Sequence, residues 1–241
     1  KHVLCEKPMA ANAGEAERMA TAARETGLVL AEAFHYRYHP LAARMKEIVT
    51  SGELGWIVRV EAHFCIPMVL PGDIRYRLDL AGGATMDVGS YTVNLVRFLA
   101  GAEPEVVSAE FRLSSPNVDR YMSAELRFPH GATGRVVHSL LSSILFRARA
   151  VVRGELGEMR VLNPIAPQFL YRLVVRGPHG SRSERVENGD SYTHQLRAFV
   201  RAVRGEGTMP TDGEDAVHNM RVIDAIYERA GLPRRGGREH G

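Results

Sequence analysis

Two short stretches of the chain carry residues that could move a proton together. The first is Glu6-Lys7-Pro8, directly after the apolar run Val3-Leu4-Cys5, which reads as a buried strand. Ligands of parallel sheets bind at the carboxyl ends of strands, so an ammonium at Lys7 is placed to orient a substrate hydroxyl or to carry its proton. Pro8 fixes the local backbone, and a cis peptide bond is one way for it to do so. The same three residues also fit a solvated strand-end turn with an ordinary Glu/Lys pair. Of 31 basic residues only Lys1, Lys7 and Lys46 are lysines. A chain that prefers arginine so strongly draws attention to a lysine kept inside a motif. The second stretch is Gly82-Gly83-Ala84-Thr85-Met86-Asp87-Val88-Gly89-Ser90-Tyr91. Asp87 and Tyr91 are spaced to share one helix face near its N-terminus, away from the apolar stripe of Val88, Leu95, Val96 and Leu99. The glycines permit close approach of backbone or ligand. A tyrosine beside a lysine has its pKa, ordinarily about 10, drawn toward neutral pH. Such a phenol can act as acid or base on a carbinol. The alternative is an aspartate favoured by the helix dipole next to a half-buried tyrosine.

These groups need a strand end and a helix start to hold them. Asn12-Ala13-Gly14-Glu15 is a capping-box-like helix start. Ala16, Met19, Ala20 and Ala23 give that helix one apolar face, and Gly27 stops it. Leu28 to Ala33 is a second apolar run, so strand, helix and strand form a βαβ unit with a parallel pair. Two strands do not make a doubly wound sheet, and a chain opening on Lys1 reads as cut within one. A helix is expected from about Pro40 to Ser51, before Gly52. Val58, Val60, Ala62, Phe64 and Ile66 alternate with Arg59, Glu61, His63 and Cys65, which predicts a half-buried strand. Residues 67–81, with Pro67, Pro71 and Gly72, read as a loop, and a helix fits Ala84 to Ala100, closed by Gly101. Strands are expected near 105–113, 120–128, 133–141, 146–153, 158–162, 171–176 and 182–187. They suggest an open, mainly antiparallel sheet with helices on one face and the other available to a partner. Two helices follow. Tyr192, Leu196, Phe199, Val200 and Val203 share a face of the first. Ala216, Met220, Ile223, Ile226, Tyr227 and Ala230 share a face of the second, which Thr211 or Asp212 can cap and Gly231 ends.

The composition narrows the function classes. With 241 residues, 45% hydrophobic and 24% charged, the chain can bury a real core and is not of the disordered type. No apolar run reaches the roughly 18 residues of a membrane span, and no signal peptide opens the chain. Cys5 and Cys65 define neither a disulfide framework nor a metal site, so a reduced cytoplasm is the expected location. A net charge of +3, with acids set between the arginines, is not the basic stripe of a nucleic-acid binder. Only Pro233-Arg234-Arg235-Gly236-Gly237-Arg238 is locally basic, and it reads as a solvated, frayed tail. His35 and His39 have helical metal-ligand spacing, but Pro40 disfavours a helix across both and no third ligand is evident; no metal is expected. Ser142 and Ser143 lack the Gly-x-Ser-x-Gly setting of a hydrolase.

Taken in order, these segments resemble the Gfo/Idh/MocA family of oxidoreductases. The likeness rests on Glu6-Lys7-Pro8 after a hydrophobic strand and on the Gly-Gly-x-x-x-Asp-x-Gly-x-Tyr helix. Glu32 to Pro40, Ser51-Gly52-Glu53-Leu54-Gly55, Tyr192 to Phe199 and Glu214 to Tyr227 match further family segments, so it spans nearly the whole chain. The resemblance implies an α/β plus α+β fold. Residues 1–35 would be the end of a Rossmann nucleotide domain and 36–232 a substrate-binding and oligomerisation domain, with 233–241 as a basic tail. It implies hydride exchange between NAD or NADP and a sugar, polyol or related secondary alcohol. Lys7, Asp87 and Tyr91 would be catalytic, and Glu6, Lys7, Pro8 and Arg37 would lie against the cofactor. Many members carry a histidine where this chain has Tyr91, which resembles the glucose–fructose oxidoreductase and dihydrodiol dehydrogenase branch. Tyr36, Arg37 and Tyr38 would sit near nicotinamide or substrate, or form a packed aromatic turn. A homodimer or homotetramer through the open sheet is expected, with no nucleic-acid or membrane partner.

The chain departs from the family at one point. No Gly-x-Gly-x-x-Gly occurs among its 23 glycines; Gly205 and Gly207 are followed by Pro210 at the third position. Binding of NAD(P) by these residues alone is therefore expected to be weak or absent. The competing reading is a noncatalytic oligomerising or sugar-binding protein derived from such an enzyme.

Overall fold

The structure is a computed structural model that describes residues 1–70, 72–178, 180–187 and 189–236. Pro71 of the expected loop, and Gly237 and Arg238 of the expected tail, lie outside the described residues. Strand β1 (Val3–Cys5), helix α1 (Ala13–Thr26) and strand β2 (Leu30–Glu32) form the βαβ unit, with Val3 opposite Leu30 and Cys5 opposite Glu32 in a parallel pair. Asn12 caps α1 by accepting from the Glu15 amide at 2.9 Å. The Glu15 carboxylate reaches back to the Ala11 amide at 3.1 Å, one residue beyond the usual capping box. Gly27 ends the helix in the left-handed region at φ 65°. The outer edge of β2 is covered, because the Glu32 amide donates to the Thr211 carbonyl at 2.7 Å and Ala31 bridges Asp212.

A single 3-10 turn, His35–Tyr38, leads into α2 (Pro40–Thr50) and then β3 (Ile57–Cys65). The stretch before the next helix is mostly extended loop, with 3-10 turns at Ile74–Tyr76 and Leu78–Leu80. The expected helix from Ala84 is two kinds of helix in sequence: a π-helical turn over Thr85–Gly89, then α3 (Ser90–Ala100). Strands β4 (Glu105–Ser115), β5 (Val118–Arg127), β6 (Thr133–Ser139), β7 (Arg147–Gly154), β8 (Glu158–Leu162), β9 (Arg172–Gly177) and β10 (Gly180–Glu184) complete the expected set. They join β3 in one eight-stranded sheet of order β10-β9-β8-β7-β3-β6-β5-β4. Its pairs are antiparallel except β3 with β6. The sheet is open and mainly antiparallel, as the strand pattern implies.

The alternation of β3 decides which face packs. Val60 and Ala62 join Ala124, Leu126, Val136, Ala150, Val152 and Val161 in one apolar core, to which α3 adds Leu95, Val96 and Leu99. α5 (Gly213–Arg229), capped by Asp212, contributes Met220, Ile223, Ile226 and Tyr227 to the same core. Ala16 and Ala20 of α1 belong to it too, so the βαβ unit is welded to the sheet through α5. The opposite face carries charge. Arg59 pairs with Glu61 at 2.6 Å and with Glu125 at 3.3 Å, and Arg135 reaches the same Glu125 at 3.3 Å. Arg153 spans Glu61 at 3.6 Å and Glu158 at 2.7 Å. Two polar atoms on this face, His63 Nδ1 and Arg149 Nε, are shut away from solvent without a hydrogen-bond partner among the described residues.

Two expectations need correction. The apolar stripe of α4 (Ser191–Val203) is not a core face: Tyr192, Leu196 and Val200 stay exposed, and the buried positions are Ser191 and Gln195. The tail is solvated at Pro233, Arg234 and Gly236 but not at Arg235. Arg235 is 1% exposed, and its guanidinium donates to the Gly82 and Asn117 carbonyls and pairs with buried Asp119 at 3.0 Å. A cation that replaces water with three acceptors and the face of Tyr227, 4.0 Å away, has no reason to fray. Both cysteines are free thiols, and no described helix is long and apolar enough to cross a membrane.

Candidate active site

The end of β1 and the π-helical turn meet at one cleft. Lys7 leaves the strand end and donates from Nζ to Asp87 Oδ1 at 2.7 Å and to the Asp87 carbonyl at 3.0 Å. The same ammonium lies 4.8 Å from the centre of the Tyr91 ring. Lys7, Asp87 and Tyr91 are thus brought together, 80 and more residues apart in sequence. The Lys7–Pro8 peptide bond is cis. The cleft has a volume of about 620 Å³ and is lined by Glu6, Lys7, Pro8, Arg75, Gly82, Gly83, Met86, Asp87 and Gly236. π-Helical turns recur at functional sites because the wider turn redirects the side chains that follow it.

The glycines of the motif serve packing as much as access. A Cβ on Gly82 would meet the Arg77 carbonyl at 2.6 Å, and one on Gly89 would meet His138 Nε2 at 2.7 Å. Gly83, at φ 144°, leaves room for the Asp119 carboxylate that accepts from the Thr85 amide and hydroxyl, each at 2.7 Å. The start of the turn is therefore pinned from beneath by a buried acid, and Asp87 is carried out toward Lys7.

One partner was not legible in sequence. Arg75, in the loop of residues 67–81, donates from Nε to Asp87 Oδ2 at 2.8 Å and pairs with Asp73 at 2.9 Å. Asp87 is held between two cations, so its carboxylate orients Lys7 rather than standing free for substrate. Only the tertiary fold brings that loop arginine to the motif.

Tyr91 differs from the expectation in its acidity. Its ring is packed edge-on by Phe34 at 5.3 Å and Phe64 at 5.7 Å. Burial pushes the phenol well above its ordinary pKa, with Tyr192, Glu6 and Asp87 adding to the rise. Lys7 does not draw it down, because the ammonium faces the ring and spends its hydrogen bonds on Asp87. Arg37 does not reach the cleft. It stacks 4.0 Å over Phe98, bonds Asn94 at 3.3 Å and faces Asp215 at 3.8 Å, in a separate depression. Tyr36 donates to Asn94 at 2.6 Å and Tyr38 is bonded to Thr211 at 2.6 Å, so the aromatic turn is packed. His35 and His39 are both buried but serve different elements, the latter capping α2 by accepting from the Leu41 amide at 3.1 Å. No group of side chains among the described residues could hold a metal ion.

Glu32, at the end of β2, is the other acid the sequence could have flagged by its place at a parallel strand end. It accepts from the Met9 amide at 2.8 Å, beside the Lys7–Pro8 bond, while its second oxygen is sealed without a partner. Burial raises its pKa from 4.5 to about 8. A raised folded-state value gives stability that is fully present below about pH 4.5 and lost as pH rises through about 8. Glu32→Gln should therefore gain melting temperature relative to the native chain progressively from pH 5 to pH 8, then level off. Thermal melts across that range are the check; a difference that does not vary with pH refutes the assignment.

The residues fit one end of a nicotinamide dinucleotide and not the other. Lys7, Glu6 and the cleft suit the reacting ring and a polyol beside it. The helix start next to the cleft, that of α1, is closed by the chain's own acids: Glu15 takes the Ala11 amide and Asp224 takes the Ala13 amide at 3.0 Å. Those donors are not free for a pyrophosphate.

Comparison with known proteins agrees with this geometry. Residues 1–34 match the NAD-binding Rossmann fold of the oxidoreductase family, and residues 42–160 match the Gfo/Idh/MocA C-terminal domain. D-xylose 1-dehydrogenase (NADP(+)) 2 of Haloferax volcanii is 37% identical over 95% of this chain and 70% of its own. The aldose–aldose oxidoreductase of Caulobacter crescentus, solved with glycerol, superposes with a TM-score of 0.88 at 26% identity, over 96% of this chain and 70% of that one. The 3-ketoreductase of Actinomadura kijaniata, solved with NADP and TDP-benzene, superposes at 0.84 with 29% identity over 95% and 70%. That reductase has also been solved with one tyrosine changed to phenylalanine and with one lysine changed to alanine, at positions as far apart as Lys7 and Tyr91 are here. With relatives this similar over nearly its whole length, the chain belongs to the Gfo/Idh/MocA family of oxidoreductases.

Proposed function

We propose that the chain carries the substrate half of an NAD(P)-dependent oxidoreductase acting on a sugar, polyol or related secondary alcohol. The observation that carries the reading is the meeting of Lys7 and Asp87 in one cleft at a parallel strand end, with the Tyr91 ring 4.8 Å from the Lys7 ammonium. The bound nicotinamide would supply the hydride or accept it. Tyr91 would move the hydroxyl proton of the reacting carbon. The phenol is protonated at neutral pH, so its role is that of donor to a carbonyl undergoing reduction. Asp87 would act through Lys7, fixing the ammonium against the ring. The lysine and tyrosine replaced in the 3-ketoreductase support these two assignments by their spacing. On this reading residues 1–35 belong to the nucleotide half and 36–232 to the substrate half.

The test is NAD(P)-linked turnover on a panel of aldoses and polyols that includes D-xylose. The phosphate-binding half of the nucleotide domain must be present in the same chain. Turnover abolished by changes at Lys7 and Tyr91 supports the reading. Sugar binding with no turnover in that protein favours the noncatalytic alternative. The 241 residues alone should show no micromolar affinity for NAD(P) by calorimetry, since they contain no Gly-x-Gly-x-x-Gly loop and the Ala11 and Ala13 amides at the start of α1 are taken.

The charged sheet face is assigned to self-association. It carries interleaved rows of Arg59, Arg135 and Arg153 with Glu61, Glu125 and Glu158. A second copy laying its own Arg/Glu rows across this face would meet opposite charge. The chain should be a homodimer or homotetramer, burying on the order of 1,600 Å² or more per interface. Because the contact is ionic, high salt should dissociate it. Light scattering that finds only monomer at low salt and all accessible concentrations would contradict this.

A further inference from the structure

His35 is packed between two tyrosines, Tyr91 and Tyr192. Its ring is stacked on Tyr192 at 4.2 Å and meets Tyr91 edge-on at 6.2 Å. It therefore stands beside the Tyr91 ring. The ring's other side of chemistry is fixed from behind. Nδ1 is 2.7 Å from Ser191 Oγ, and the Ser191 hydroxyl donates to Gln168 Oε1 at 2.9 Å. A hydroxyl has one proton, so Ser191 must accept from His35, and Nδ1 carries the hydrogen. Nε2 is then a bare acceptor. It has no partner among the described residues, yet it is not one of the polar atoms shut away from solvent. Burial lowers the pKa of the ring to about 4, against a pull from Asp190 and with a push from Lys7, so the imidazole is neutral at working pH.

We propose that His35 is a specificity-determining residue whose Nε2, aimed by the Gln168–Ser191 relay, accepts a hydrogen bond from one substrate hydroxyl beside the carbon that Tyr91 serves. The ligand class is a polyol with a neighbouring hydroxyl, and the inference rests on the redox reading only for the identity of that carbon. A bare acceptor in a wall of aromatic rings discriminates well, because a substrate lacking the hydroxyl leaves Nε2 unpaired.

Two measurements test it. In the active protein, D-xylose and its monodeoxy analogues are compared by kcat/KM. His35→Phe keeps the stack on Tyr192 but has no acceptor. It should lower kcat/KM for the parent sugar roughly 10-fold and leave one deoxy analogue unchanged within about twofold. His35→Gln, whose amide reaches the place of Nε2, should restore the discrimination, whereas His35→Asn, which reaches only the place of Nδ1, should not. An equal loss on every sugar in the His35→Phe protein overturns the proposal, since that is what a packing role predicts. The second measurement does not depend on turnover. In imidazole ¹⁵N spectra of the 241-residue chain titrated with D-xylose, the His35 Nε2 resonance should move upfield as it accepts. Sugar that perturbs Tyr91 without moving Nε2 also overturns it. A wild-type protein that shifts Nε2 but never reduces or oxidises a sugar would instead remove the redox reading and leave this one standing.

Discussion

Tyr91→Phe should lower turnover by roughly 10²–10⁴, the usual scale of general acid–base catalysis, in a protein able to bind NAD(P). The change removes one hydroxyl and leaves the ring among Phe34, Phe64 and His35, so the fold should barely notice. Cofactor affinity should be nearly unchanged, because a phenol at the reacting end contributes little to holding a pyrophosphate. Lys7→Arg is the companion. It keeps the charge, but a planar guanidinium cannot take the place of a compact ammonium that bonds Asp87 at two atoms beneath an aromatic face. Its turnover should also fall. Steady-state kinetics with a melting curve for each variant settle the matter. Near-normal turnover in Tyr91→Phe with altered stability would return Tyr91 to a packing role and leave Lys7 as the remaining candidate.

The largest effect on stability is expected at Arg235. Asp119 accepts from the Thr85 amide and hydroxyl, from Tyr227 at 2.9 Å and from Arg235 at 3.0 Å, with no exposure. Arg235→Met leaves that carboxylate charged in the interior with neutral donors only. Removing one partner of a buried pair costs about 3–5 kcal/mol, and a domain of this size loses about 2–4 °C in Tm per kcal/mol. Scanning calorimetry should show a drop on the order of 10 °C. Asp119→Asn combined with Arg235→Met should cost less than Arg235→Met alone, because no charge is then stranded. A melting temperature within a degree or two of the native one would show that water, not Arg235, satisfies the acid.

Much of this was legible in the residues themselves. The stops at Gly27, Gly101 and Gly231 and the cap at Asp212 are local signals, and each is where the pattern places it. The alternation from Val58 to Ile66 locates β3 but not its burial, since Glu61, His63 and Cys65 are buried as well and Val58 is exposed. Lys7, Asp87 and Tyr91 could be named because each sits at a strand end or helix start. What they do to one another could not, since it depends on packing between segments. The phenol is pushed up because Phe34 and Phe64 seal it, and no spacing rule relates those residues to Tyr91. The family resemblance implied Arg37 as a cofactor contact, yet Phe98, Asn94 and Asp215 claim it. The stripe on α4 has the period of a buried helix, yet Leu196 and Val200 are exposed and Tyr192 is covered on one side by the His35 ring. Period identifies a face and does not say what covers it.

The cleft is walled by residues from both extremes of the described chain. Pro8 and Ala10 stand on one side and Gly236 on the other, and Asn12 donates to the Arg235 carbonyl at 2.9 Å. On the ribosome the order of emergence then matters. Strand β3 waits for β6 and β7 before both its edges are paired. Asp119, already made, lacks its cationic partner until Arg235 has been added and has cleared the exit tunnel. A nascent chain halted near Leu232 would hold every described helix and strand and still lack a closed site, so the cleft is completed only after synthesis has passed through the last described turn.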